Sequence, residues 1–187
     1  MLRHLPNLVT ILRMLLVVPL CWLIDHGRYE GALVVAAIAG FSDAVDGFLA
    51  KHYGWQTWLG GILDPIADKL LLMAAFLWLA FAGDMPQWLA ALVIGRDLVI
   101  VAGAVAYHHL IGRFDASPSP LSKLTTVVQI VFVLAELLRL SRWIDVPDSV
   151  RNAAIGVTAG LTLASGLHYV IVWGARAWQT AAGRKGR

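Results

Sequence analysis

The sequence predicts an all-α polytopic membrane protein, with six transmembrane helices preceded by a short interfacial amphipathic segment. Three observations lead there. Of 187 residues, 59% are hydrophobic and only 14% are charged, and the mean hydropathy is +0.71. A soluble domain of this size needs a more polar surface. Six apolar runs follow one another, most near the roughly 20 residues that cross about 30 Å of hydrocarbon. Turn-forming residues punctuate the runs.

Residues 1–9 read as the interfacial lead-in. The first span covers 8–24 and is interrupted only by Thr10 and Arg13. It is not expected to be a cleaved signal, because Arg13 breaks the apolar region and no small-x-small site precedes Asp25. Asp25-His26-Gly27-Arg28 ends it. The second span covers 31–50 and carries Asp43 and Asp46. The third covers 62–81, with Asp64, Asp68 and Lys69 in its first turns. Gly83-Asp84-Met85-Pro86 separates it from the fourth, 88–107, which contains Arg96 and Asp97. A segment rich in Ser and Pro, 115–120, precedes the fifth, 124–138, which reaches full length if it runs from Leu121 to Leu140. Pro147 lies in the break before the sixth, 153–173. The whole of 1–187 reads as one membrane domain, with 179–187 a basic tail expected to fray at the lipid surface.

Trp22, Trp78, Trp88, Trp143, Trp173 and Trp178 fall near span ends, as an interfacial aromatic belt requires. Six spans put both termini on one side. That side holds Arg3, Lys51, Arg113, Lys123, Arg176, Arg184, Lys185 and Arg187, against Arg28, Arg139, Arg142 and Arg151 on the other. The excess predicts cytoplasmic termini, in what reads as a bacterial inner membrane. Cys21 stands alone, so no intramolecular disulfide forms. A net charge of +3 suits a membrane face, and no basic groove or nucleic-acid-binding element appears, so nucleic acid is not an expected partner.

The chemistry concentrates in four aspartates. Asp43 and Asp46 lie three apart, and Asp64 and Asp68 four apart, so each pair shares a helix face. The turn around 52–61 lets the two helices run antiparallel and the pairs converge. Four carboxylates so close repel one another, and divalent cations remove that penalty. Oxygen ligands without Cys or clustered His suit Mg²⁺ or Mn²⁺. Four acids can bridge two such ions, an arrangement suited to phosphoryl transfer. Gly47, Ala50, Gly54, Gly60 and Gly61 leave room for a large ligand or, alternatively, for tight helix packing. Pro65 either begins or kinks its helix.

The full string is Asp43-x2-Asp46-Gly47-x2-Ala50-Lys51-x8-Gly60-x3-Asp64-x3-Asp68. It resembles the motif of the CDP-alcohol phosphatidyltransferases, with Lys51 where family members usually carry Arg, which keeps the charge but loses the bidentate fork. Pro6-Asn7-x2-Thr10-x2-Arg13, Gly95-Arg96-Asp97 and Ser122-Lys123-x-Thr125-Thr126-x2-Gln129 resemble further stretches of that family, so the likeness covers nearly the whole chain. It implies a homodimer that binds CDP-diacylglycerol at the cytoplasmic ends of the second and third helices, with acyl chains in the membrane lipid. An acceptor hydroxyl attacks the phosphorus bearing diacylglycerol and CMP leaves. By the same resemblance, Asp43, Asp46, Asp64 and Asp68 hold two metal ions, and Asp68 is also the proton acceptor. Asn7, Thr10, Asp43, Gly47, Ala50, Lys51 and Gly60 bind the nucleotide part.

The acceptor is read from cations. Arg96, Arg113 and Lys123 are candidates to bind an anionic alcohol, which favours glycerol-3-phosphate as acceptor. Arg113 and Lys123 also fit as plain cytoplasmic-side charges, and Arg96 as a partner of a carboxylate inside the bundle. The stretch around Ser122 is also similar to the branch that uses phosphatidylglycerol as acceptor, departing from it at Thr125, where Asn is usual. Two readings of another class compete: a divalent-metal transporter and a non-catalytic lipid scaffold. The dense spacing around Gly47 and Ala50 argues against both.

Overall fold

A computed structural model describes the backbone of residues 5–53, 58–110 and 119–185, and the side chains of 9–42, 66–103 and 119–173. The described residues form six helices and no strand. These are α1 (Leu5–Asp25), α2 (Tyr29–Tyr53), α3 (Trp58–Phe81), α4 (Gln87–Leu110), α5 (Pro120–Leu140) and α6 (Asp148–Lys185). Each contains one of the six apolar runs. The expected lead-in and first span form one helix from Leu5, since no breaker separates them and each residue added to an existing helix gains a backbone hydrogen bond. α5 takes the longer bounds, because Ser119 caps it and Pro120 starts it: the Ser122 amide donates to Ser119 Oγ at 3.2 Å. α6 continues into the basic tail as far as Lys185.

The all-helical class therefore holds. Two helices, Pro120–Leu140 and Asp148–Trp173, are clearly long and apolar enough to cross a membrane. Large apolar side chains are exposed on every helix, among them Leu15, Phe41, Leu70, Leu98, Val131 and Leu167. Water around so many is costly, whereas lipid covers them without cost.

The chain divides into two compact units. The first comprises residues 1–87 and 130–147. In it α1 packs against both α2 and α3, burying Leu20, Ile24, Ala32 and Phe76. Phe76 also stacks on Phe132 of α5, with ring centroids 5.9 Å apart. The second unit comprises 88–129 and 148–187. Its interior is more polar. Thr125 donates to the Leu161 carbonyl at 3.3 Å, and Gln129 Nε2 to Thr162 Oγ1 at 3.0 Å. Such side-chain bonds hold helices together where the surroundings are as apolar as the packing faces.

Three turns in the first unit close on a left-handed residue. After α1 it is Gly27, at φ 66°, followed by an Arg28 amide that donates back to the Leu23 carbonyl at 2.8 Å. After α3 it is Gly83, at φ 81°, with the Asp84 amide on the Leu79 carbonyl at 3.0 Å. Both are C-terminal caps of the kind glycine favours. After α5 the left-handed residue is Arg142, at φ 59°. A side chain there carries a conformational cost of about 1 kcal/mol. Exchanging Gly83 for Ala, where an added Cβ meets nothing within 4 Å, is expected to destabilise the fold by about 1 kcal/mol through the backbone alone. Arg142→Gly is expected to stabilise it by up to about that amount. Thermal unfolding of the two variants in detergent should move Tm in opposite directions.

Candidate functional site

Both acid pairs lie on helices. Asp43 and Asp46 fall within α2, and Asp64 and Asp68 within α3. With i,i+3 and i,i+4 spacing, each pair occupies one helix face. The side chains of Asp43, Asp46, Asp64, Gly47, Ala50, Lys51, Gly60 and Asn7 lie outside the described residues, as does Arg113 altogether. Asp68, Thr10, Arg96 and Lys123 are described.

Asp68 is 46% exposed, yet it is firmly held. Arg13 Nη1 of α1 donates to its Oδ1 at 2.5 Å. Arg13 itself is 1% exposed. Thr10, one turn earlier on the same face of α1, is fully buried. A guanidinium that deep in an apolar helix requires an anion, and the carboxylate it reaches belongs to the motif. Arg13 thus reaches one carboxylate of the motif, Asp68, which is fixed in position while remaining accessible from outside. Arg13 interrupted the first apolar run, and that interruption was the signal for such a partner; which acid it meets was not legible.

All four candidate ligands are carboxylates, and the donor set fits a hard divalent cation. Among the described residues no three Asp, Glu, His or Cys side chains form a metal cluster, and three of the four acids fall outside them.

Arg96 lies in the second unit and is 5% exposed. Its guanidinium is committed to its own helices. Nη1 donates to Asp97 at 2.6 Å, Nη2 to Ser122 and Ser165 at 2.6 Å each, and Nε to Ser165 at 3.2 Å. One planar fork thereby joins α4, α5 and α6. Lys123, beside Ser122, is exposed at the start of α5. Ser122 opens the stretch that resembles the family, whereas Ser165 carries no recognisable motif. The signal for Ser165 was only that a short polar residue sits in an apolar helix. Arg96→Ala is expected to destabilise the protein by about 3–5 kcal/mol, since it leaves Asp97 buried without its counter-charge. Asp97→Asn, which leaves the buried guanidinium without a counter-charge, should cost a comparable amount. Tm of the two variants in the same detergent provides the measurement.

A family model described as CDP-alcohol phosphatidyltransferase matches residues 3–175. A probable phosphatidylglycerophosphate synthase of Mycobacterium tuberculosis is 35% identical over 173 residues, covering 89% of this chain and 80% of that protein. A chloroplastic CDP-diacylglycerol--glycerol-3-phosphate 3-phosphatidyltransferase 1 of Oryza sativa is 31% identical over 185 residues, covering 90% of this chain and 56% of that protein. A human cardiolipin synthase (CMP-forming) is 33% identical over 153 residues, covering 71% of this chain and 49% of that protein.

Proposed function

The chain belongs to the CDP-alcohol phosphatidyltransferase family, and from that premise we propose that it transfers the phosphatidyl group of CDP-diacylglycerol to glycerol-3-phosphate, forming phosphatidylglycerophosphate and CMP. The observation that carries this reading is the four-acid motif on α2 and α3, lying inside a family match that runs through both units. The acceptor assignment is supported by the likeness to the mycobacterial and rice proteins named for this product or this reaction.

The proposed step balances simply. The acceptor hydroxyl oxygen bonds to the phosphorus that carries diacylglycerol, and the bond from that phosphorus to the CMP oxygen breaks. CMP leaves with the electron pair. The hydroxyl proton passes to the Asp68 carboxylate. Arg13 suits Asp68 to this task by fixing Oδ1, so that a half-exposed carboxylate keeps one orientation. Proton transfer needs that geometry, because a general base works only within hydrogen-bond reach of the proton it takes. The family uses divalent metal. Two ions, Mg²⁺ or Mn²⁺, held by Asp43, Asp46, Asp64 and Asp68, would neutralise the diphosphate and improve CMP as a leaving group. Asn7, Thr10, Gly47, Ala50, Lys51 and Gly60 are proposed to form the nucleotide pocket. Thr10, fully buried, would act from within α1. Arg113 and Lys123 are proposed to meet the acceptor phosphate. Arg96 would contribute by holding Ser122 next to Lys123.

The proposed setting is a bacterial inner membrane crossed six times, with both termini and the acid motif toward the cytoplasm, and a homodimeric assembly. Cytoplasmic placement is supported by the excess of Lys and Arg on that side. A second reading, transfer to phosphatidylglycerol, is favoured by the likeness to proteins named cardiolipin synthase and by the Ser122–Gln129 stretch.

Purified protein with labelled CDP-diacylglycerol and Mg²⁺ or Mn²⁺ is expected to release CMP on addition of glycerol-3-phosphate, and to stop on chelation. Activity with phosphatidylglycerol alone would replace the first acceptor by the second. No CMP release with either acceptor, or with inositol phosphate or serine, would remove the enzyme reading; metal flux across sealed vesicles would then favour a transporter. Asp68→Asn is expected to reduce turnover at least a hundredfold while CDP-diacylglycerol binding largely survives, consistent with the ~10²–10⁴-fold that a positioned base contributes. Turnover near wild type in that variant removes Asp68 as the base.

A further inference from the structure

The first turn of α5 is tethered to α6 at two points, within the second unit. Ser119 uses all three of its polar groups. Its Oγ accepts from the Ser122 amide at 3.2 Å, and its carbonyl accepts from the Lys123 amide at 3.1 Å. Its own amide donates to Tyr169 Oη of α6 at 3.1 Å. Three residues on, Ser122 Oγ accepts from Arg96 Nη2, which also donates to Ser165 of α6. Ser165 and Tyr169 are four apart and share one face of α6.

Both tethers end beside Lys123. Ser122 precedes it in the chain, and Ser119 lies one turn earlier on the same side of the helix. Lys123 itself is exposed, and its side chain takes no hydrogen bond or ion pair among the described residues. A cation left free at a helix start that is held twice is a cation whose base is fixed for something outside the fold. A lysine head on its flexible four-carbon stem reaches a ligand reproducibly only when the backbone beneath it is held.

The Ser119 tether is the less expected of the two. The amide of a capping residue is commonly taken by Glu or Gln at the third helical position. That position here is Ser122, whose oxygen is engaged by Arg96, and α5 has no acid in its first turn. Tyr169 supplies the oxygen from another helix, so no carboxylate is placed beside Lys123. Packing accounts for its ring, which meets His168 edge to face with centroids 6.1 Å apart. Packing does not account for its hydroxyl. Nor does the need to satisfy the amide, because Ser119 is only half-buried and water could serve it. What the hydroxyl adds is a fixed position for residue 119, and hence for Lys123.

We propose that Tyr169 is a positioning residue for the anionic acceptor: through Ser119 it fixes the first turn of α5 and so the place at which Lys123 meets the acceptor phosphate. The role rests on the reading above that Lys123 binds that phosphate, and it requires no contact between Tyr169 and either substrate.

The test is steady-state CMP release by the full chain with CDP-diacylglycerol saturating and glycerol-3-phosphate varied. Wild type, Tyr169→Phe, Lys123→Gln and the double variant are compared. Tyr169→Phe keeps the ring and is expected to raise KM for glycerol-3-phosphate about five- to tenfold, the scale of one lost hydrogen bond. Its kcat, and its KM for CDP-diacylglycerol, should stay within about twofold of wild type, as when binding common to ground and transition states is lost. In the Lys123→Gln background the same exchange should move KM by less than about twofold, because the charge being positioned is gone. A merely structural hydroxyl would act alike in both backgrounds. An unmoved KM in Tyr169→Phe overturns the proposal, as does an equal rise in both backgrounds; a raised KM in Lys123→Gln then leaves the acceptor reading standing. An unmoved KM in Lys123→Gln, or no CMP release with glycerol-3-phosphate at all, overturns that reading and the role of Tyr169 with it.

Discussion

The contact between Arg13 and Asp68 is the constraint on which the first unit turns. A guanidinium that is 1% exposed in the middle of an apolar helix is intolerable alone. Its partner must be an acid, and the acid must come from another helix, because no carboxylate stands near it on α1. The pair therefore fixes the register of α1 against α3, while α1 also packs on α2. α1 is in this sense the template on which both acid-bearing helices are laid. The same contact has a consequence at the surface. It orients one carboxylate of the motif without hiding it, and an oriented, accessible carboxylate is what a proton-transfer step needs.

Arg96 solves the same problem differently. It too is a buried guanidinium in an apolar helix, but it takes its anion from the next residue and spends its other donors on two serines. A fork satisfied by Asp97, Ser122 and Ser165 fixes three helices at one point. Arg13 lends its charge to an accessible carboxylate, whereas Arg96 encloses its own. Two arginines that look alike in sequence, each a lone cation in an apolar run, are separated in role by the exposure of the acid they meet: 46% for Asp68 and 7% for Asp97.

The helices were legible because hydrophobic runs and turn residues are local signals. Gly27 and Gly83 lay in two of the breaks, and the segment 115–120 preceded the fifth run, while the Ser119 cap and the start at Pro120 emerged only in the structure. Arg142 was not legible as a left-handed residue, since nothing in its identity departs from an ordinary helix-end cation. The four-acid motif was legible from spacing, because i,i+3 and i,i+4 positions share a face wherever the backbone is helical. Contacts between elements were not. Arg13 and Asp68 are 55 residues apart, and Arg96 and Ser165 are 69 apart. No periodicity carries that information. Charge bookkeeping said only that each buried ion must find a partner. It left open whether Arg96 would meet a ligand or its neighbour, and packing chose the neighbour.

α2 shows most clearly what the acids are not for. Glu30 sits in its first turn, where the helix dipole favours a negative charge. Asp43 and Asp46 sit well inside the helix, too far from either end for a terminal partial charge to favour them, and their i,i+3 spacing puts two like charges on one face. Nothing in helix stability favours them there. Apolar residues at both positions would serve α2 better on every local count. Their cost is offset only when positive charge is brought to the motif from elsewhere, as Arg13 brings it to Asp68 from α1. Helix stability therefore does not account for the two acids of α2, and that is the physical argument behind the metal-binding role proposed for them.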